Sequence, residues 1–387
     1  MVFKTYKMND MKGKQGLVCM GLLLVLSSCH TGKQITASGL QRKDFQTEVN
    51  GQHTDLFTLS NKQGMEVCIT NYGARVVSIL VPDRNGKRED VVCGFSTITE
   101  YMEQRQNFGS TVGRYIGRIL NARFTLDGVE YKLVPNNGKS GHISHGGNPG
   151  FADRIWKVEQ ADTHRVRLSY LSPDGENGFP GNLKVTLVYS LGEDDNALDL
   201  TYEATTDAPT VLNLSHHSFF NISGNFTKSV EDQQLWVDAD RFTPYDDKKC
   251  VTGEYLPVAG TPLDFRMPHT IGECIDADHP QLKVVNGYDH TWELNTKGDD
   301  TRPAAWVYDP ASGRKMEIFT TEPGMQIYTG NGLKGKMTGK GGIAYPFRSA
   351  ACFETMHFQD SPNQPGFPST VLRPGEVFRS HTVYKFE

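Results

Sequence analysis

The chain has 387 residues, 40 basic against 45 acidic, and a formal net charge of −5. Without the four lysines and Asp10 of residues 1–28, 36 basic and 44 acidic residues remain, a net charge near −8. No basic stripe is left to neutralise phosphates, which argues against nucleic acid as a partner. Five cysteines lie beyond Cys29, namely Cys68, Cys93, Cys250, Cys274 and Cys352. They are odd in number, widely spaced and without a C-x-x-C pair, which argues against a zinc cluster or a dense disulfide framework.

The N-terminus reads as an address. Lys4, Lys7, Lys12 and Lys14 precede an apolar run over residues 17–26, broken only by Cys19 and Gly21. That run is too short for an ordinary transmembrane helix and fits a secretory signal. It ends in Leu26-Ser27-Ser28-Cys29, similar to a bacterial lipoprotein box. The similarity implies cleavage before Cys29, acylation of that cysteine, and an exported protein held at a membrane through its lipid alone, in the periplasm or at the cell surface. Residues 29–44 are polar and aperiodic, as expected of a tether, and residues 45–387 show no composition shift that would mark a second domain.

From there the periodicity is almost all of period two. Phe124 and Leu126, then Val129, Tyr131 and Leu133, alternate with polar residues around Asp127-Gly128, a type I′ hairpin signal. Val166, Leu168 and Tyr170 share one strand face. Leu183, Val185, Leu187, Tyr189 and Leu191 share another, and Leu198, Leu200, Tyr202 and Ala204 a third. No helical periodicity runs beyond about two turns. With 39 glycines and 19 prolines punctuating short strands, the expected fold is all-β, a large antiparallel β-sandwich.

Some motifs fail on chemistry. Gly330-Asn331-Gly332-Leu333-Lys334-Gly335-Lys336-Met337 approaches a phosphate-binding loop, but Met337 replaces the magnesium-binding hydroxyl and no helix is expected to follow. His142 and His145 with His216 and His217 could suggest zinc, yet the first pair sits in a Gly/Ser-rich loop rather than at helical i, i+4 spacing.

The segments that carry chemistry come in a fixed order. Gly113-Arg114-Tyr115-Ile116-Gly117-Arg118 offers two arginines, and Ser144-His145-Gly146-Gly147 sets a histidine among small neighbours that would let a ligand approach the backbone. Asn213-Leu214-Ser215-His216-His217-Ser218-Phe219-Phe220-Asn221 sets two histidines on a β-prone stretch. Histidine exchanges protons near neutrality, and neighbours on a strand face opposite ways, so one of the two suffices for a cleft. Gly287-Tyr288-Asp289-His290 and Ala351-Cys352-Phe353-Glu354-Thr355 each add a carboxylate.

These segments together resemble the galactose mutarotase, or aldose 1-epimerase, family. The likeness runs from Asn71-Tyr72-Gly73-Ala74 to Leu372-Arg373-Pro374-Gly375-Glu376 through Phe179-Pro180-Gly181-Asn182-Leu183, Pro323-Gly324-Met325-Gln326, Tyr328-Thr329-Gly330-Asn331 and Asp360-Ser361-Pro362-Asn363-Gln364-Pro365. It implies a mutarotase-type sandwich and an isomerase that interconverts the α and β anomers of a free aldose such as galactose or glucose. It also implies His217 as catalytic acid and Glu354 as catalytic base. Arg118, His145, Asp289 and Gln326 fall where the family holds sugar hydroxyls or assists the acid. Neither a nucleophile nor a cofactor or metal is required.

Three departures stand out. His216 and Gly117 each replace an asparagine usual in the family, and Ser144 replaces a leucine. They bear on substrate preference and on the tuning of His217, since a neighbouring imidazolium would lower its pKa. Two other functions use the same residues. One is a sugar-binding surface lipoprotein without catalysis. The other is a glycoside hydrolase working through Glu354 and Asp289, which would need about 5–10 Å between its carboxylates.

Overall fold

A computed structural model describes residues 34–387. The segment expected to be a signal, residues 1–28, and Cys29 lie outside the described residues. Most strands fall into three large antiparallel sheets, while the Arg123–Leu126 and Val129–Lys132 hairpin forms a two-stranded sheet of its own. A nine-stranded sheet runs in the order Lys157–Ala161, Arg165–Ser172, Leu183–Leu191, Ala197–Thr206, Phe378–Phe386, Lys315–Thr320, Ala305–Tyr308, Gln234–Val237 and His269–Thr270. A six-stranded sheet runs Phe219–Phe220, Ala351–Met356, Gly324–Tyr328, Asp289–Glu293, Arg241–Thr243 and Leu256–Pro257. The third has four strands, Leu56–Ser60, Glu66–Thr70, Arg75–Pro82 and Arg88–Asp90.

One apolar cluster joins inner faces of all three. It contains Leu187, Leu200 and Ile318 from the first sheet, Trp292, Ile327 and Phe353 from the second, and Val67, Ile69 and Val76 from the third. The expected β-sandwich is the observed fold. The long strands behave as expected: Leu183, Val185, Leu187 and Tyr189 are each wholly buried, while Lys184 between them is exposed. On the short Val129–Lys132 strand Val129 is exposed and Tyr131 half-buried, because that hairpin lies outside the large sheets. At the Asp127-Gly128 turn both residues have positive φ, 51° and 79°, and Leu126 pairs with Val129, as a primed two-residue hairpin requires. Among the described residues the longest helix, Ile98–Gln104, has seven residues, started by a Thr97–Glu100 capping box.

The tether expectation needs correction from Thr36 onward. Thr36 Oγ1 accepts the Leu40 amide, Ile35 bridges to Gln41, and Arg42–Phe45 forms a 3₁₀ turn whose Arg42 Nε donates to Asp55 at 2.8 Å. Leu40 and Phe45 are buried with Tyr101, Phe108 and Phe219. Two apolar anchors suffice to dock a segment that is polar by count. The loop at 330–337 is followed by no α-helix, so it has no helix N-terminus to offer a phosphate. All five described cysteines are unpaired.

Candidate active site

The cleft is built on one face of the six-stranded sheet. On strand Ala351–Met356, period two sends Cys352, Glu354 and Met356 one way and Phe353 the other, into the main core. The next strand registers Gln326 opposite Glu354, and the strand after it registers Thr291 opposite Gln326 and Asp289 opposite Tyr328. Glu354, Gln326 and Asp289, distant in sequence, therefore share one small area of sheet surface.

His217 reaches the same place from strand Ser215–His217, which pairs with Ser110–Val112. Its ring stacks on Phe219 at 5.1 Å, and its Nε2 lies 3.5 Å from Glu354 Oε1. Arg118 and Ser144 are paired across a two-stranded ribbon on the opposite wall, and His145 follows directly. The cavity between them measures about 260 Å³ and is lined by Arg118, His145, His217, Asp289, Gln326 and Glu354 together. Each of the six cleft positions drawn from sequence is thus in one cavity.

Electrostatics in this pocket are set by burial. Desolvation, then the His145 ring, pulls His217 well below the usual imidazole range. Desolvation, then the Asp289 carboxylate, pushes Glu354 well above the usual carboxylate range. His145 is driven down to about 4 by burial and by Arg118. Its Nδ1 accepts the Gly117 amide at 3.4 Å, so the neutral ring carries its proton on Nε2. Asp289 is raised by burial against the opposing pull of Arg118, and its Oδ1 accepts from Gln326 Nε2 at 2.6 Å.

His216 points the other way, as alternation requires. Its Nε2 bonds Ser218 Oγ at 2.6 Å, and its ring lies between Tyr189 and Tyr384. Burial pushes it down to about 3, so it stands as a neutral imidazole beside His217. Arg114, the other arginine of its segment, is structural: its guanidinium donates to the carbonyls of Ser172, Pro173, Pro180 and Gly181. The small residues after His145 serve the protein rather than a ligand. A Cβ on Gly146 would sit 2.0 Å from the Gly113 carbonyl oxygen, so the glycine admits the chain's own backbone.

The four histidines once suggestive of zinc do not converge. His142 accepts the Asn121 amide on Nδ1 and faces Cys250 Sγ at 3.3 Å, outside the cavity lining. Cys352, His217 and Glu354 do offer three donor atoms within 4.8 Å of one another. However, the ligand a metal takes from cysteine is the thiolate, and burial with the Glu354 carboxylate beside it pushes the Cys352 thiol well above its usual range, which disfavours that ligand here. Sequence reasoning passed over Gln359, Tyr328, Phe219 and Met356, which also line the cavity. Phe219 and Tyr328 belong to the quoted runs, and Gln359 stands immediately before one of them; none is titratable near neutrality, so none drew notice.

Such a fold and cleft bring together the proton-transfer pair and polar side chains that a sugar isomerase of the acid–base kind requires. Comparison with known families matches residues 55–385 to Aldose 1-epimerase. Galactose mutarotase of Sus scrofa is 39% identical over 330 residues, 85% of this chain and 93% of that protein. Aldose 1-epimerase of Escherichia coli is 36% identical over 339 residues, 87% of this chain and 96% of that protein. Among solved structures, an aldose epimerase homologue from C. elegans aligns with a TM-score of 0.79 at 31% identity, covering 86% of this chain and 99% of the other. Galactose 1-epimerase from Lactobacillus acidophilus aligns with a TM-score of 0.76 at 28% identity, covering 88% and 96%. The chain belongs to the aldose 1-epimerase family and is an isomerase of that class.

Proposed function

We propose that the enzyme interconverts the α and β anomers of free aldohexoses, galactose and glucose among them, through His217 as acid and Glu354 as base. The observation that carries this is the buried His217 Nε2–Glu354 Oε1 approach of 3.5 Å beside a cavity of about 260 Å³. An imidazolium with a carboxylate and a neutral imidazole with a carboxylic acid hold the same number of protons. Mutarotation alternates between these two arrangements. With the ring closed, ionised Glu354 takes the O1 proton while protonated His217 gives one to the ring oxygen, and the C1–O5 bond breaks. With the ring open, the pair is neutral. After rotation about C1–C2, Glu354 returns its proton to the carbonyl oxygen and His217 recovers one from O5 as the bond re-forms.

Burial favours the uncharged arrangement, which accompanies the open-chain aldehyde. Bound sugar supplies hydroxyls that assist the charged one. Positioned proton transfer of this kind contributes roughly 10²–10⁴-fold per group. Arg118, the Nε2–H of His145, Gln326 and the Asp289 carboxylate hold the remaining sugar hydroxyls. Polarimetry on fresh α-D-galactose and α-D-glucose tests the proposal: decay to the equilibrium rotation is expected to accelerate. An unaccelerated decay, or release of reducing sugar from an aryl glycoside in its place, would contradict it.

Residues 1–28 act in the same proposal as an export signal, with Cys29 the lipidated N-terminus of a membrane-anchored lipoprotein. Lys4, Lys7, Lys12, Lys14 and the Leu26-Ser27-Ser28-Cys29 box support this. Labelling with a radioactive fatty acid is expected to mark the wild type and spare Cys29→Ser; equal labelling of both would contradict it.

A further inference from the structure

Gln359 is buried at 5% exposure, and every polar atom of its side chain is engaged within the protein. Its Oε1 accepts the backbone N–H of Arg118 at 3.2 Å, while its Nε2 donates to Tyr245 Oη at 2.7 Å and to Gln326 Oε1 at 3.3 Å. Gln326 Nε2 in turn donates to Asp289 Oδ1 at 2.6 Å. An amide placed alone can face either way, but this chain starts from a group that can only donate. The Arg118 N–H obliges Gln359 to present its oxygen there and its NH₂ to Gln326. Gln326 must then accept on that side, where Thr291 Oγ1 also donates to its Oε1 at 2.5 Å, and donate on the other, where Asp289 stands. A turned Gln326 would set its oxygen against the Asp289 carboxylate.

The neighbouring wall is shaped to admit this residue. Gly117 has φ +76°, and a Cβ there would fall 2.5 Å from Gln359 Cγ. A side chain at position 117 and Gln359 as it stands are mutually exclusive. Ser144 lines the same cavity as Gln326 and Gln359.

We propose that Gln359 is a positioning residue for sugar binding: it fixes which way the Gln326 amide faces, and so holds the Asp289 carboxylate ready for a sugar hydroxyl, with glycine at 117 as its structural requirement. Gln359 touches no reacting atom and acts through Gln326 and Asp289. The inference rests on the proposed sugar site but not on catalysis there, so binding and turnover are measured separately.

Calorimetric titration with galactose and polarimetric kinetics on Gln359→Met and Gln359→Glu form the test. Methionine keeps the volume and removes the donors; glutamate keeps the shape and cannot donate when ionised. Both are expected to raise Kd and KM about tenfold, the loss of one buried hydrogen bond to a charged network, with kcat within about threefold and the melting temperature close to wild type. Gly117→Asn is expected to weaken binding more than Gln359→Ala does, and the double variant to bind no worse than Gln359→Ala alone, because removing the Gln359 side chain relieves the clash. Wild-type Kd in both Gln359 variants would overturn the proposal, as would losses that simply add in the double variant. An enzyme that binds galactose but leaves its anomers alone would refute the proposed reaction, while the variants' Kd values would still decide the role of Gln359.

Discussion

At His216 a single side chain separates stability from catalysis. Its ring is wholly buried, and its ionisation is pushed down to about 3 against an unfolded value near 6.5. The folded state therefore binds fewer protons than the unfolded one between these values. Its contribution is fully present above pH 6.5 and is lost as pH falls toward 3, by about 1.4 kcal/mol per unit. Urea unfolding of His216→Asn is expected to show a shallower acid loss than wild type by that amount per unit; parallel curves would contradict it. The acid limb of turnover is expected to move little with this substitution, because His216 is a minor influence on His217 beside burial and the His145 ring. The Asp289 carboxylate does act on the pair: it raises Glu354, and its removal makes Glu354 easier to ionise. Asp289→Asn is therefore expected to draw the alkaline limb of the pH–rate profile toward lower pH, besides raising KM; an unmoved limb would refute the coupling. Strand alternation said that one of the two histidines faces a cleft; that it is His217 was implied by the family resemblance and not by alternation. The neutrality of His216 was not legible in the sequence, because it depends on Tyr189 and Tyr384, from strands far along the chain.

Elements explain why so many matched positions meet. Strand alternation aims Cys352, Glu354 and Met356 at the cleft, and register carries the pattern to Gln326 and Asp289. What alternation cannot supply is the partner strand, since period two says which face a residue takes but not which strand lies beside it. The turn after His145 was half legible. Small residues were expected to admit a ligand, whereas Gly146, at φ +79°, admits the Gly113 carbonyl instead. Gly146→Ala is expected to cost at least tenfold in kcat/KM by displacing His145, together with a lowered melting temperature; wild-type kinetics would refute that tight packing. The N-terminal segment was misjudged by composition, because two buried side chains outweigh a polar majority. Phe45 is fully buried, and Phe45→Ala is expected to destabilise by about 3–5 kcal/mol in urea unfolding. A loss below about 1 kcal/mol would mean that the segment is only loosely attached.

For the whole molecule, the sandwich was foreseeable because buried antiparallel strands leave an alternating imprint on sequence. The joining of three sheets around one core was not, since those contacts link residues hundreds of positions apart. That assembly gives the cleft its low-dielectric floor. It lets a histidine and a glutamate sit in contact with burial opposing both charges, so that one pair can occupy either of two proton arrangements. The central claim is that this pair performs the anomer exchange. Decay of optical rotation after dissolving α-D-galactose tests it most directly, followed with wild-type protein and with Glu354→Gln at equal concentration. Wild type is expected to accelerate the decay, and Glu354→Gln to lose roughly 10²–10⁴-fold of that acceleration while keeping its fold. Equal rates from the two proteins would contradict the account.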